Sequence, residues 1–265
     1  MLALGGWFDA WRATSGGRPI AAPILVGVFS LAAVSELLAI LAQAGLPTPR
    51  RVVLLASAAI LLGKAHVEFH ALEPRSAWFV ALAVGVLVIV AAWLLRDRDL
   101  ASGARRSAGS LLALLLVALL STMIDVANEW GTSVLFALVM TAKAGDIGAY
   151  LTGKAIGRFK LIEHVSPKKT IEGAIGALLA SLLVGAWLFD RVGEGRWSPP
   201  AILAVSVAVN VAGQVGDLFE SLWKRSGGVK DSGRLLPEFG GALDIVDSLF
   251  LAMPAGWALL LALQG

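Results

Sequence analysis

The chain has no cysteine, which excludes disulfides and thiolate metal sites and leaves the redox compartment unreadable. Charged residues make up only 15% of it, and tyrosine occurs once against nine tryptophans. The stretch Met1–Gly17 lacks a basic start followed by an apolar core, so no cleavable signal peptide is expected there. With Trp7, Phe8 and Trp11, that stretch is expected to lie along a membrane interface. What the chain does have is apolar surface. Hydrophobic residues reach 57% and the mean hydropathy is +0.79. Soluble domains sit near about 45–50%. The excess marks an integral membrane protein, and the several tryptophans near segment ends fit the headgroup zone.

A bilayer core takes about 20 apolar residues as a helix. The expected spans are Ile20–Ala44, Val52–Leu72, Ser76–Leu95, Ala108–Ile124, Gly131–Thr152, Thr170–Phe189, Pro199–Trp223 and Gly241–Leu263. The expected fold is therefore all-α and polytopic, with about eight transmembrane helices, seven to nine being tolerable. The second span is the weakest, because Lys64, His66, Glu68 and His70 crowd its later half, which suits a short span and an interfacial turn. Most of the 22 lysines and arginines fall on loops after the first, third, fifth and seventh spans. The positive-inside rule places those loops in the cytoplasm, the side on which nucleotides are found; the expected location is a bacterial inner membrane. No repeat or linker is evident. The chain reads as one polytopic domain, with residues 1–130 as scaffold half and 131–265 as site-bearing half.

Against that background the segment from Gly216 to Asp247 is dense in acids and bases, which is costly beside a membrane unless paired, metal-bound or facing water. On the seventh span Asn210, Gln214, Asp217, Ser221 and Lys224 recur at helical spacing and form one stripe. Asp244, Asp247 and Ser248 share a face at the start of the eighth, and Lys143, Asp146 and Tyr150 align on the fifth. Hydrogen-bonding glue between helices accounts for Asn210 and Gln214 as well as any site does. Asp217, Asp244 and Asp247 are different: clustered carboxylates repel unless a cation lies among them, and their hard oxygens suit Mg²⁺, with a second cation also open. Lys143 is expected to pair with Asp146, three residues on.

The second rich stretch is Lys160–Gly173. Ser166, Pro167 and Thr170 read as helix-start signals, with Thr170 as N-cap and Glu172 in the first turn. Lys168 and Lys169 sit beside that start, where free amides favour an anion. A solvated basic loop facing acidic lipid is the plainer account. Gly148–Ala155 nearly spells a phosphate loop, but it ends in alanine and follows an apolar helix. His66 and His70 show no third metal ligand and read as interfacial.

These residues resemble the signature of the phosphatidate cytidylyltransferases, also called CDP-diacylglycerol synthases. The match runs through Gly216, Asp217, Glu220, Ser221, Lys224, Arg225, Lys230, Asp231, Gly233, Pro237, Gly240, Gly241, Asp244, Asp247 and Ser248. An earlier block matches as well, through Asp146, Gly148, Ala149, Tyr150 and Gly153, then Ser166 to Thr170, Glu172 and Gly173. The resemblance implies condensation of CTP with phosphatidic acid to CDP-diacylglycerol and pyrophosphate in phospholipid biosynthesis. It implies Asp217, Asp244 and Asp247 as metal ligands, and Lys224 and Arg225 with them as catalytic. Substrate contacts fall to Asp146, Tyr150, Ser166, Lys168, Lys169, Ser221, Lys230 and Asp231. It also implies a homodimer, and no nucleic-acid partner is expected. Two departures stand out: Glu238–Phe239 replace the family's Gly-His, and Ile245 replaces an arginine between the late aspartates. They leave open CTP-dependent transfer to another lipid, such as an isoprenoid-ether phosphate or a polyprenol. An ion-coupled transporter using Lys143, Asp146 and Asp217 is the reading from a different class.

Overall fold

The computed structural model describes residues 21–69, 84–88, 90–91, 99–233 and 240–263. Trp7, Phe8 and Trp11, His70, most of the expected third span, Pro237, Glu238 and Phe239 lie outside the described residues. The chain forms α1 (Ala21–Gln43), α2 (Arg50–Phe69), α3 (Leu100–Trp130), α4 (Thr132–Ile156), the strands β1 (Lys160–Ile162) and β2 (Ser166–Thr170), then α5 (Ile171–Val192), α6 (Pro199–Ser226), α7 (Ala242–Val246) and α8 (Leu249–Ala262).

Helices dominate because lipid offers no water to backbone amides and carbonyls, which a helix satisfies within itself. Among the described residues six helical stretches are long and apolar enough to cross a membrane, the last running from Ala242 to Ala262. They coincide with the expected first and fourth to eighth spans, so the protein is an all-α, polytopic integral membrane protein. The expected second span is a continuous helix, α2, rather than a short span with a turn. Lys64 lies buried in it, donating to Ser121 Oγ at 3.3 Å. Helix-start signals over Lys160–Thr170 fold instead as a two-stranded antiparallel hairpin running directly into α5. The cap itself forms: Thr170 Oγ1 accepts from the Gly173 amide at 3.1 Å.

The chain packs as two compact units. The first takes in Asp125–Leu222 and Asp247–Gly265, and so holds α4, the hairpin, α5, most of α6 and α8. Helices α4 and α5 approach closely because Gly148 and Gly176 have no side chain: an added Cβ would run into Ala180 at the first and Thr152 at the second. Outward residues such as Phe136, Ile147, Leu179, Leu183 and Val211 are exposed and apolar, as a lipid-facing surface requires. At one end of this unit Trp197 stands edge-on to Trp130 and Phe189 and donates its indole N–H to the Leu260 carbonyl. The hairpin, the end of α6 and the start of α8 form the other end. The second unit takes in Ile20–Ile124 and Trp223–Val246. Its core includes Leu37, Leu38, Leu41, Val53, Leu116, Leu120 and Leu243, all buried.

Candidate active site

Helical spacing on α4 presents Lys143, Asp146 and Tyr150 on one side. The Lys143 ammonium donates to Asp146 Oδ2 at 3.1 Å, to Ser248 Oγ at 2.9 Å and to Asp247 Oδ1 at 3.4 Å. Ser248 Oγ in turn donates to Asp146 Oδ2 at 3.0 Å, and the Ser248 amide to Asp247 Oδ1 at 2.6 Å. The expected Lys143–Asp146 pair is therefore one edge of a larger network. Asp247 and Ser248 belong to it because they fall in the turn between α7 and α8. Gly216 of α6 admits that turn, since a Cβ there would strike the Asp247 carbonyl.

Across the first unit, Lys169 in β2 pairs with Asp217 Oδ2 on α6 at 2.7 Å, and Ser221 Oγ lies 3.5 Å from Asp217 Oδ1. A cleft of about 220 Å³ opens beside this pair, lined by Asp146, Tyr150, Leu161, Lys168, Gln214 and Asp217 among others. Lys168 and Tyr150 are exposed at it, and Ser166 is half-buried in β2. Deeper along α6, Asn210 donates to Ser181 Oγ at 2.9 Å and accepts from Gln214 at 2.6 Å. These two amides work as interhelical glue.

Asp217, Glu220 and Asp247 each offer a carboxylate oxygen within 4.8 Å of the others. Glu220 is fully buried on α6. Three carboxylates at this separation repel one another in a low dielectric, and oxygen donors alone suit a hard divalent cation. Glu220 stood in the sequence only within the family signature; its place three residues after Asp217, on the same helix face, was the available signal.

Asp244 is engaged within the second unit. Its Oδ1 accepts from Lys224 Nζ at 2.8 Å, and its Oδ2 from the Ser232 amide, the Ser232 hydroxyl and the Gly241 amide at 3.0, 2.8 and 2.7 Å. Arg225 is exposed and donates to the Val229 carbonyl at 3.3 Å. Lys230 and Asp231 are exposed, and Ile245 is half-buried in α7.

Fold and site together define an integral membrane protein whose helical unit gathers carboxylates, lysines and serines at one end, around a small cleft. The chain belongs to the cytidylyltransferase family, whose model matches residues 12–263. It is similar to the phosphatidate cytidylyltransferase of Staphylococcus aureus strain COL, 47% identical over 109 residues, or 41% of this chain. The corresponding protein of Staphylococcus haemolyticus is 45% identical over 111 residues, and that of Staphylococcus saprophyticus 42% identical over 111. The matched stretch spans 42% of the length of these relatives.

Proposed function

We propose that this protein transfers the cytidylyl group of CTP to phosphatidic acid, releasing pyrophosphate and forming CDP-diacylglycerol. The observation that carries this reading is the carboxylate trio Asp217, Glu220 and Asp247 beside Lys143 and Lys169, in a chain of the cytidylyltransferase family. The names of the staphylococcal relatives support the substrate pair.

In the reaction a lipid phosphate oxygen bonds to the α-phosphorus of CTP, and the bond from that phosphorus to the oxygen bridging the β-phosphate breaks. The electron pair leaves with pyrophosphate. The lipid phosphate is already anionic at neutral pH, so no strong general base is needed, and positioning with charge neutralisation carries the catalysis. Asp217, Glu220 and Asp247 fit a divalent cation of the Mg²⁺ type. Bound there, such a cation would neutralise charge on the triphosphate. Lys143 orients Asp247 and Asp146 by bonding both. Lys169, steadied by Asp217, and exposed Lys168 offer ammonium groups to phosphate oxygens at the cleft. Ser221 orients Asp217. Asp244 orients Lys224, while Arg225, Lys230 and Asp231 stay exposed for contact with substrate. Tyr150 and Leu161 give the cleft an apolar edge suited to a lipid.

The site end faces the cytoplasm of a bacterial inner membrane. Supporting this, Lys154, Arg158, Lys160 and Lys168 crowd the same stretch of chain, as the positive-inside rule requires. The test is purified protein with labelled CTP, phosphatidic acid and Mg²⁺, scored for a labelled CDP-lipid and for pyrophosphate. Label retained in CTP under all three additions would sink the reading. Label moving only to a polyprenol or isoprenoid-ether phosphate would replace the acceptor.

A further inference from the structure

Glu36 lies well inside the first apolar span, Ala22–Gln43, among buried Leu37, Leu38 and Ile40. A carboxylate there is expensive, and such residues are retained where they hold something. What Glu36 holds is far away in sequence. Its Oε1 accepts from the Ala242 amide at 3.0 Å, and its Oε2 from the Leu243 amide at 2.9 Å and the Ser232 hydroxyl at 2.8 Å. Ala242 and Leu243 open α7, whose first-turn amides have no partner inside the helix. Ser232 Oγ also lies 2.8 Å from Asp244 Oδ2, so its single proton is shared between two carboxylates. Glycines make room for this arrangement: a Cβ at Gly233 or Gly241 would collide with the Glu36 carboxylate.

We propose that Glu36 is a positioning residue for the reaction, clamping Ser232 and the start of α7 so that Asp244 can hold Lys224. Glu36 touches no reacting atom. It acts through Asp244 and Lys224, and this role rests on the cytidylyl-transfer reading above.

The informative variant is Glu36→Gln, which keeps the shape but turns an N–H₂ toward backbone amides that need an acceptor. Full-length protein in lipid nanodiscs is compared with wild type by hydrogen exchange and by steady-state kinetics with CTP and phosphatidic acid. The expected result is faster exchange at Ala242 and Leu243, unchanged exchange in α4 and α5, and a fall in kcat of tenfold or more with KM for CTP within twofold. Glu36→Asp, one methylene shorter, should recover part of kcat. Unchanged exchange at Ala242 and Leu243 overturns the clamp. Faster exchange with wild-type kcat overturns its role in the reaction. Should wild type form no CDP-lipid, the proposed function falls, and the exchange result alone decides whether the clamp exists. If Glu36→Gln does not fold, Ser232→Ala removes one bond of the clamp and carries the same readouts, with about a threefold loss of kcat expected.

Discussion

The two units each hold a group of carboxylates, and the groups differ in how far their charge is met by donors of the chain or crowded by other carboxylates. In the second unit the oxygens of Glu36 and Asp244 are covered by amides, a hydroxyl and an ammonium. In the first, Asp217, Glu220 and Asp247 bring oxygens within 4.8 Å of one another, so that Lys169 on Asp217 and Lys143 on Asp247 offset only part of their mutual repulsion. Carboxylates that take up donors from their own chain stabilise the place where they sit, because hydrogen bonds to a charged group contribute about 1.5–3 kcal/mol. Carboxylates that face each other oppose the fold locally and persist where a ligand uses them. Asp244 and Asp247 are three residues apart, and both accept donors from the chain, yet only Asp247 also faces two other carboxylates.

Substituting each in turn gives the sharpest way to break that contrast. Asp247→Asn removes charge from the crowded trio, so CDP-lipid formation should drop about a hundredfold or more, while stability stays within roughly 1 kcal/mol of wild type. Glu220→Gln should follow the same pattern and raise the Mg²⁺ concentration needed for half-maximal rate. Rates from pyrophosphate release and melting curves in detergent provide both readings. A melting temperature that collapses in Asp247→Asn with activity per folded molecule intact would reverse the assignment.

Asp244→Asn should behave in the other sense. The amide keeps one acceptor oxygen but faces either Lys224 or two backbone amides with its own donors. We expect a loss of about 2 kcal/mol in stability, with residual turnover well above that of Asp247→Asn. Denaturant titration of the two variants side by side measures the difference directly.

A smaller effect belongs to the cap of α5. Thr170→Ala removes the oxygen that accepts from the Gly173 amide, which should cost about 1 kcal/mol. Because Lys168 and Lys169 lie on the strand leading into that cap, KM for CTP should rise more than kcat falls. Thr170→Ser, which keeps the oxygen, should restore both.

Much of this was legible in the chain, and the reasons differ by element. The spans followed from long apolar runs, and the Thr170 cap from a hydroxyl placed three residues before an amide it could reach. The stripe at Asn210, Gln214 and Asp217 followed from helical spacing, although spacing alone could not separate glue from site. The hairpin was hidden because its strands have three and five residues, one containing proline, too short for an alternating pattern to show. Glu36 was hidden for another reason: its partners stand 196 to 207 residues away, and a lone glutamate in an apolar span does not name them. The second span misled because charge in its later half reads as an interface, whereas the fold buries Lys64 against Ser121.

The smallest expected effect lies at the start of α3, where Asp99 is exposed. Its Oδ1 accepts from the Ala101 amide at 3.1 Å and its Oδ2 from the Ser102 amide at 3.3 Å. The Ser102 side chain, then the Ala101 amide, hold this carboxyl below its ordinary value. A carboxyl depressed in the folded state stabilises the fold above its unfolded pKa, and that contribution disappears as pH falls through the folded value. Wild type should therefore melt slightly above Asp99→Ala at neutral pH, and the gap should close once acid protonates the carboxyl. Asp99→Asn, which can still cap through its amide oxygen, should show less pH dependence than wild type. Melting curves of the three proteins from neutral to acid pH would register this, and a gap that widens in acid would mean that Asp99 stabilises the helix through its protonated form.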